Sequence, residues 1–220
     1  MSLTLEIEPH PLLEIGAFVM RNPQPLAELA TPTEIARLAE PGAAAPITAS
    51  EQTSEQIKTS VRDLLRHGGY KPAGRSKPAS EYLAAALAKR EFPRINALVD
   101  ACNVVSLHAG LPISLVDLDR LDRTGALTIR IAPPGTSYVF NPSGQTIDAG
   151  GLLCLYDAQG PTGTPVKDAQ RTKTDGATVA ALTIVWGTSA LAGWTTRTTR
   201  WYRDLARQIA GTTVEDIALA

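Results

Sequence analysis

The chain has 220 residues, with 21 basic and 22 acidic side chains and a formal net charge of −1. A composition of 44 % hydrophobic and 20 % charged residues excludes an intrinsically disordered chain, and folding at this length buries roughly 70 % of the unfolded surface, enough for a core without disulfides. The net charge argues against a nucleic-acid partner, but its distribution does not. Residues 1–70 hold nine acids against five bases, and residues 71–220 hold sixteen bases against thirteen acids.

Leu13 to Met20 reads as a strand, followed by a Pro/Ala-rich stretch, Asn22 to Ala49, with a short helix at Thr33–Glu40. A helix from Ser54 to His67 carries Ile57, Val61, Leu64 and Leu65 on one face, with Gly68 as its left-handed stop. The basic, turn-rich Lys71–Pro78 loop precedes an Ala-rich helix, Ser80 to Arg90. Pro93 opens the next helix, in which Ile95, Leu98, Val99, Cys102 and Val105 form the buried stripe and Gly110-Leu-Pro112 the end. Strands follow at Leu127–Ile131, Ser137–Phe140, Leu152–Tyr156 and Thr178–Trp186, and a last helix runs from Thr196 to Ala210, stopped by Gly211. The uncharged stretch Gly176–Thr196 is broken by Thr183, Gly187, Thr188, Ser189 and Gly193, so it reads as a buried strand and loop, not a membrane span. Helices dominate the first half and strands the second. That order predicts a single α+β domain, a mixed or antiparallel β core with flanking helices.

Two cysteines, Cys102 and Cys154, make no disulfide framework, and Met1 to Glu8 has no signal-like pattern, which predicts a soluble, cytoplasmic protein. Phosphate-loop, dinucleotide and nucleophile-elbow motifs are missing from the sequence. The three histidines, His10, His67 and His108, lack metal-ligand spacing, so neither a metal nor a cofactor is expected. Cys102 and His108 lie six residues apart on one helix, about 240° round and about 9 Å along it, too far for a thiol–imidazole dyad. Cys102 then faces the core, and His108 complements the helix C-terminus.

Three constellations remain. Asn103, in Asp100-Ala-Cys-Asn103, either caps a neighbouring loop or orients a substrate amine or carbonyl. Arg171-Thr-Lys173-Thr174 is either a solvated turn or an anion clamp. Arg197, Arg200, Arg203 and Arg207 form a stripe on the last helix which, with Lys71, Arg75 and Lys77, would make a phosphate-tracking surface.

The strings Lys77-Pro-Ala-Ser80, Phe92-Pro-Arg94-Ile-Asn96, Leu98-Val-Asp100-Ala-Cys-Asn103-Val-Val-Ser106-Leu-His-Ala-Gly110-Leu-Pro112 and Asp117-Leu-Asp119-Arg120 resemble the B3/B4 domain. That domain belongs to the β subunit of bacterial phenylalanyl-tRNA synthetase and also occurs in free-standing proteins of about this length. The likeness spans roughly Ser54 to Gly211. It implies residues 51–220 as the B3/B4-like domain, with residues 1–50 as a strand and extension packed on it. It also implies an editing pocket that hydrolyses a wrongly esterified aminoacyl-tRNA, a task requiring a placed water, an ammonium site and oxyanion stabilisation more than a nucleophile. Asn103 matches the motif's pocket asparagine, and Cys102 replaces a threonine. Ser114 replaces a histidine, and Gly160–Gln170 replaces a glycine-rich loop. The expected pocket comprises Asn103, Cys102, Ser114 and Thr174, with Arg171 and Lys173 on the carbonyl or terminal ribose-phosphate. Lys71, Arg75, Lys77 and the four arginines of the last helix would hold the acceptor arm of the tRNA partner. No synthetase core is present, so a complete ligase is excluded. A tRNA-binding protein that edits in trans, a non-catalytic tRNA-binding module and an amino-acid or small-molecule binder are the three readings left open.

Overall fold

Strands open and close the chain, and helices occupy most of its first half. The computed structural model describes residues 3–47 and 51–220, with backbone alone at 51 and 52; the last residues of the Asn22–Ala49 stretch lie outside them. The elements run β1 (Thr4–Ile7), β2 (Leu13–Arg21), α1 (Thr33–Leu38), α2 (Glu51–Arg66), α3 (Ala79–Ala88) and α4 (Ala97–Ala109). Then come β3 (Ile113–Asp117), β4 (Leu127–Ile131), β5 (Ser137–Val139), β6 (Thr146–Asp148), β7 (Leu153–Asp157) and β8 (Gly160–Gly163). The chain continues through β9 (Ala180–Thr188), α5 (Trp194–Ala206), β10 (Thr213–Asp216) and β11 (Ala218–Leu219).

Two large sheets form. One is mixed, in the order β11-β1-β4-β7-β8, with β1 parallel to both neighbours and the remaining pairs antiparallel. The other is antiparallel, β10-β2-β9-β3. The fold is a single α+β domain, as the order of elements predicted. The N-terminal residues are built into both sheets, with β1 between β11 and β4 and β2 between β10 and β9.

The uncharged stretch is explained by β9, which is buried along its whole length, so neither face tolerates a charge. No helix among the described residues is long and apolar enough to cross a membrane. Helix α5 lies on β2 and β9 through two glycines. A Cβ on Gly16 would fall 1.9 Å from Thr199 Oγ1, and one on Gly187 would fall 1.9 Å from Thr195 Oγ1. The two threonines are one helical turn apart, matching two positions on adjacent strands. Phe18 adds an edge-to-face contact with Tyr202 at 5.1 Å.

Several local expectations are corrected. Asn96, not Pro93, starts α4, its side chain accepting from the Val99 N–H at 3.0 Å. Ile95 therefore precedes the helix and is exposed, while Leu98, Cys102 and Val105 are buried as expected. At the end of α2 it is Gly69 that takes the left-handed conformation, with φ +92. Gly68 serves close packing instead: a Cβ there would meet Gly151 O at 2.2 Å. The start of the Gly160–Gln170 segment, Gly160–Gly163, is strand β8 and not loop. His108 lies in the last turn of α4 as expected, where burial lowers its pKa and its Nε2 lies 2.9 Å from the Leu38 carbonyl oxygen.

The two sheets meet at their edges. Strand β3 ends the antiparallel sheet and β8 ends the mixed one, and the segment from Thr164 to Thr178 fills the seam between them. It bridges to β3 at Val116–Lys173 and to β8 at Gly163–Asp168.

Candidate functional site

An edge strand leaves backbone groups unpaired, and at this seam a side chain takes one of them. Asp168 Oδ2 accepts the Leu115 N–H of β3 at 3.2 Å. Asp168 Oδ1 is excluded from solvent and has no hydrogen-bond partner. It points at Gly163, where a Cβ would lie only 2.6 Å away. Burial raises the Asp168 pKa to about 6, against the opposing pull of the Leu115 N–H and the Lys173 ammonium. A carboxyl held near 6 is mostly ionised at neutral pH and suited to accepting a proton from water.

Ser114 is fixed beside it, accepting from Trp186 Nε1 at 2.9 Å and donating to the Thr164 carbonyl at 3.2 Å. Cys102 reaches the same interior from α4, its Sγ 4.0 Å from the Ile113 carbonyl oxygen. Burial pushes the thiol up to about 12, with a further push from Asp168, so it stays protonated and is no nucleophile.

Cations crowd the outer side. Lys173 is half-buried and donates to the Phe140 carbonyl, while Lys167 Nζ lies 3.6 Å above the Phe140 ring. Burial lowers the Lys167 pKa, and the positive charges of Arg75 and Lys173 lower it further. Tyr138 closes the cluster, donating to the Lys167 carbonyl at 2.6 Å and lying 2.9 Å from Thr164 Oγ1. The basic loop is held alongside by the Ala79 N–H bonding the Pro165 carbonyl at 3.0 Å, and by Tyr82 donating to the Gly74 carbonyl at 3.2 Å. One half-buried carboxyl thus feels the Lys173 ammonium, and Lys173 in turn shares its field with Lys167, near Arg75 and the Phe140 ring.

A B3/4 domain model matches residues 71–199, more than half of the chain. The chain belongs to the B3/4 domain family. No curated protein matches it. The match runs from the basic loop to α5 and contains every member of the seam cluster.

Much of the motif that carries the B3/4 likeness is scaffold. Asp100 accepts from the Ile95 N–H at 2.8 Å and Thr31 Oγ1 at 3.1 Å, tying the start of α4 to the N-terminal loop. Asp117 accepts from Thr178 Oγ1 at 2.6 Å and the Asp119 N–H at 2.9 Å. Arg120 pairs with Asp175 and donates to the Lys173 carbonyl at 3.2 Å, so the Asp-Leu-Asp-Arg string clamps both ends of the 173–178 segment.

The B3/4 residues singled out in the sequence separate into groups. Cys102, Ser114 and Lys173 converge at the seam, and Arg75 contributes to its field. Asn103 is half-buried on α4, roughly 100° around the helix from Cys102, and its amide bonds no described residue. Thr174 lines a different feature, an open cleft of about 490 Å³ shared with Asn96, Asp100 and Arg94. Arg171 is engaged elsewhere. Its terminal nitrogens bond the Asp157 carboxylate at 2.8 and 2.6 Å and the carbonyls of Gly160 and Pro161 at 2.9 and 3.1 Å.

Lys71 and Arg75 are exposed and Lys77 is half-buried. Helix α5, which carries the arginines, packs on β2, β9 and β10, whereas the basic loop is tied at Ala79 to Pro165 of the seam segment. Arg203 pairs with Asp216 and Arg207 with Asp204, Arg197 stacks on Trp194, and Arg200 has no ion pair among the described residues. Sequence reasoning missed Asp168, Lys167, Tyr138 and Phe140. Their only signal was a Lys-Asp pair in a turn-rich segment. Among the described residues no group of three or more His, Cys, Asp or Glu is placed to hold a metal ion.

Proposed function

We propose that this B3/4 protein binds the acceptor end of an aminoacyl-tRNA and hydrolyses the aminoacyl ester at the seam of its two sheets. The observation that carries the reading is the Asp168 carboxyl: an unpartnered, shielded oxygen with a pKa near 6, beside the Lys173 ammonium and within a group of cations. Asp168 takes a proton from water as that water attacks the ester carbonyl carbon. Lys173 stabilises the oxyanion, and the ester C–O bond breaks with a proton returning to the departing ribose oxygen. Cys102 and Ser114 line the floor. Arg75 and Lys167, with Lys71 and Lys77 near by, hold the terminal phosphates, while Phe140 and Tyr82 offer faces for bases. Arg171 serves as scaffold in this reading, and the α5 arginines lie outside the contact.

The test is a panel of correctly charged and mischarged tRNAs, with ester loss followed over time. The native protein accelerates loss of at least one ester, with a rate that rises as pH passes through about 6. Asp168→Asn lowers that rate about 100-fold or more while tRNA binding persists. Arg75→Ala and Lys167→Ala weaken binding and each flatten its log–log salt dependence by about one unit, whereas Arg197→Ala leaves it unchanged. A folded protein that accelerates no ester overturns the enzymatic claim. Salt-dependent tRNA binding in that protein would leave the non-catalytic module.

A further inference from the structure

The β5–β6 hairpin belongs to neither large sheet. Its strands pair only with each other, three residues on each side, and a ribbon of that size is marginal in water by itself. Side chains hold it down instead. The Tyr138 hydroxyl bonds Lys167 and Thr164, the Phe140 carbonyl accepts from Lys173, and the Phe140 ring lies under Lys167. All of these polar and ring partners come from residues 164–173, the segment that carries Asp168, while Ile147 of β6 adds one apolar anchor buried in the main core.

The roots of the hairpin differ from its body. Gly151 N–H bonds the Ala132 carbonyl and Ala132 N–H bonds the Leu152 carbonyl, both at 2.8 Å. Gly151 is also locked against Gly68, whose carbonyl oxygen a Cβ would meet at 2.3 Å. Just beyond this fixed base, Gly135 has φ +82 with open space around it, and Gly150 faces Pro134 and Gly135 across the limbs. Glycine at both positions leaves the backbone free to change direction there.

We propose that the β5–β6 hairpin is a lid over the Asp168 carboxyl, hinged at Gly135 and Gly150 and latched by Tyr138 and Phe140 onto the 164–173 segment. Closed, it occupies Lys167 and Lys173 and sets Tyr138 close enough to Asp168 to feel its charge. Open, it releases the two ammonium groups and exposes the carboxyl in one movement. An incoming polyanion competes for those lysines and so favours the open state, because only that state offers them. That the polyanion is an RNA 3′ end rests on the function proposed above; the hinge and latch do not.

Cys154 reports the motion. It is buried under the hairpin in a small cluster with Ala132, Ala149 and Tyr156, against which Tyr138 packs. In a Cys102→Ala background, a soluble disulfide reagent at mildly alkaline pH labels this single thiol in the native protein. The lid predicts labelling through local opening: a rate nearly independent of low denaturant, raised about tenfold or more by Phe140→Ala. A rate that Phe140→Ala leaves unchanged, or one that tracks global unfolding in both proteins, overturns it. A short single-stranded RNA ending in CCA speeds labelling further. If it does not, while Phe140→Ala still does, the lid stands and the RNA reading falls.

Discussion

Replacing Arg171 by leucine removes a guanidinium but keeps a side chain of comparable apolar length, and its cost follows from the groups left behind. The Asp157 side chain is wholly excluded from solvent, whereas Arg171 is 32 % exposed. Depriving a buried ion of its partner costs about 3–5 kcal/mol. Here the N–H groups of Asp122, Gln159 and Gly160 remain on the carboxylate, and the arginine edge already meets water, which favours the lower end, about 3 kcal/mol. In a domain of this size that is a fall of roughly 6–12 °C in melting temperature.

The pH dependence separates this account from a general packing defect. Burial works to raise the Asp157 pKa, but Arg171 and the backbone N–H donors outweigh it and hold it below the ordinary carboxylate value. A depressed pKa contributes stability that is complete above the unfolded value of about 4 and is lost as pH falls through the folded one. The gap between native protein and Arg171→Leu is therefore full at pH 7 and narrows below about pH 4, where a protonated Asp157 no longer needs the cation. Urea or thermal melts at pH 7, 5, 4 and 3 measure it. A variant that melts within about 1 kcal/mol of the native protein at pH 7, yet loses tRNA or ester affinity, would return Arg171 to the anion clamp its sequence neighbours suggested.

Two further substitutions probe the scaffold and the site. Gly16→Ala places a methyl group 1.9 Å from Thr199 Oγ1 and is expected to destabilise by about 2 kcal/mol or more, partly recovered in the double variant with Thr199→Ala; native-like urea melting of the single variant would show that α5 is not seated through this glycine. Asp168→Asn is expected to stabilise the fold at pH 7 by up to about 2 kcal/mol while lowering the proposed hydrolysis about 100-fold or more. Its folded pKa, about 6, lies above the unfolded carboxylate value, so the native protein loses stability as pH rises from about 4 to 6. Melts at pH 4 and pH 7 should show the gain only at the higher pH, and a gain equal at both would remove the argument for a strained carboxyl.

Periodicity exposed the elements that bury a face by themselves. Helix α2, with its 3–4 spaced aliphatics, and β9, with no charge to place on either side, were legible because the rule they follow is local. The strands that escaped notice are short or unpatterned: β3 is five buried residues directly after a helix, and β8 reads Gly-Pro-Thr-Gly, a turn by composition, made a strand only by its pairing with β7. The site followed the same division. Ser114 and Cys102 were found through a motif, whereas Asp168 acquires its character only where two sheet edges meet. Its pKa depends on burial, on the Leu115 N–H of a strand 53 positions away in sequence, and on a glycine that leaves room for its oxygen. Arg171 is the converse case. Beside Lys173 it looked like half of an anion clamp, but the fold turns the two side chains to different tasks, one to Asp157 across a hairpin turn and one to the hairpin over the site. Adjacent cations in a sequence share a ligand only when the backbone points them the same way, and in the proposed site the clamp comes instead from Lys167, Lys173 and Arg75.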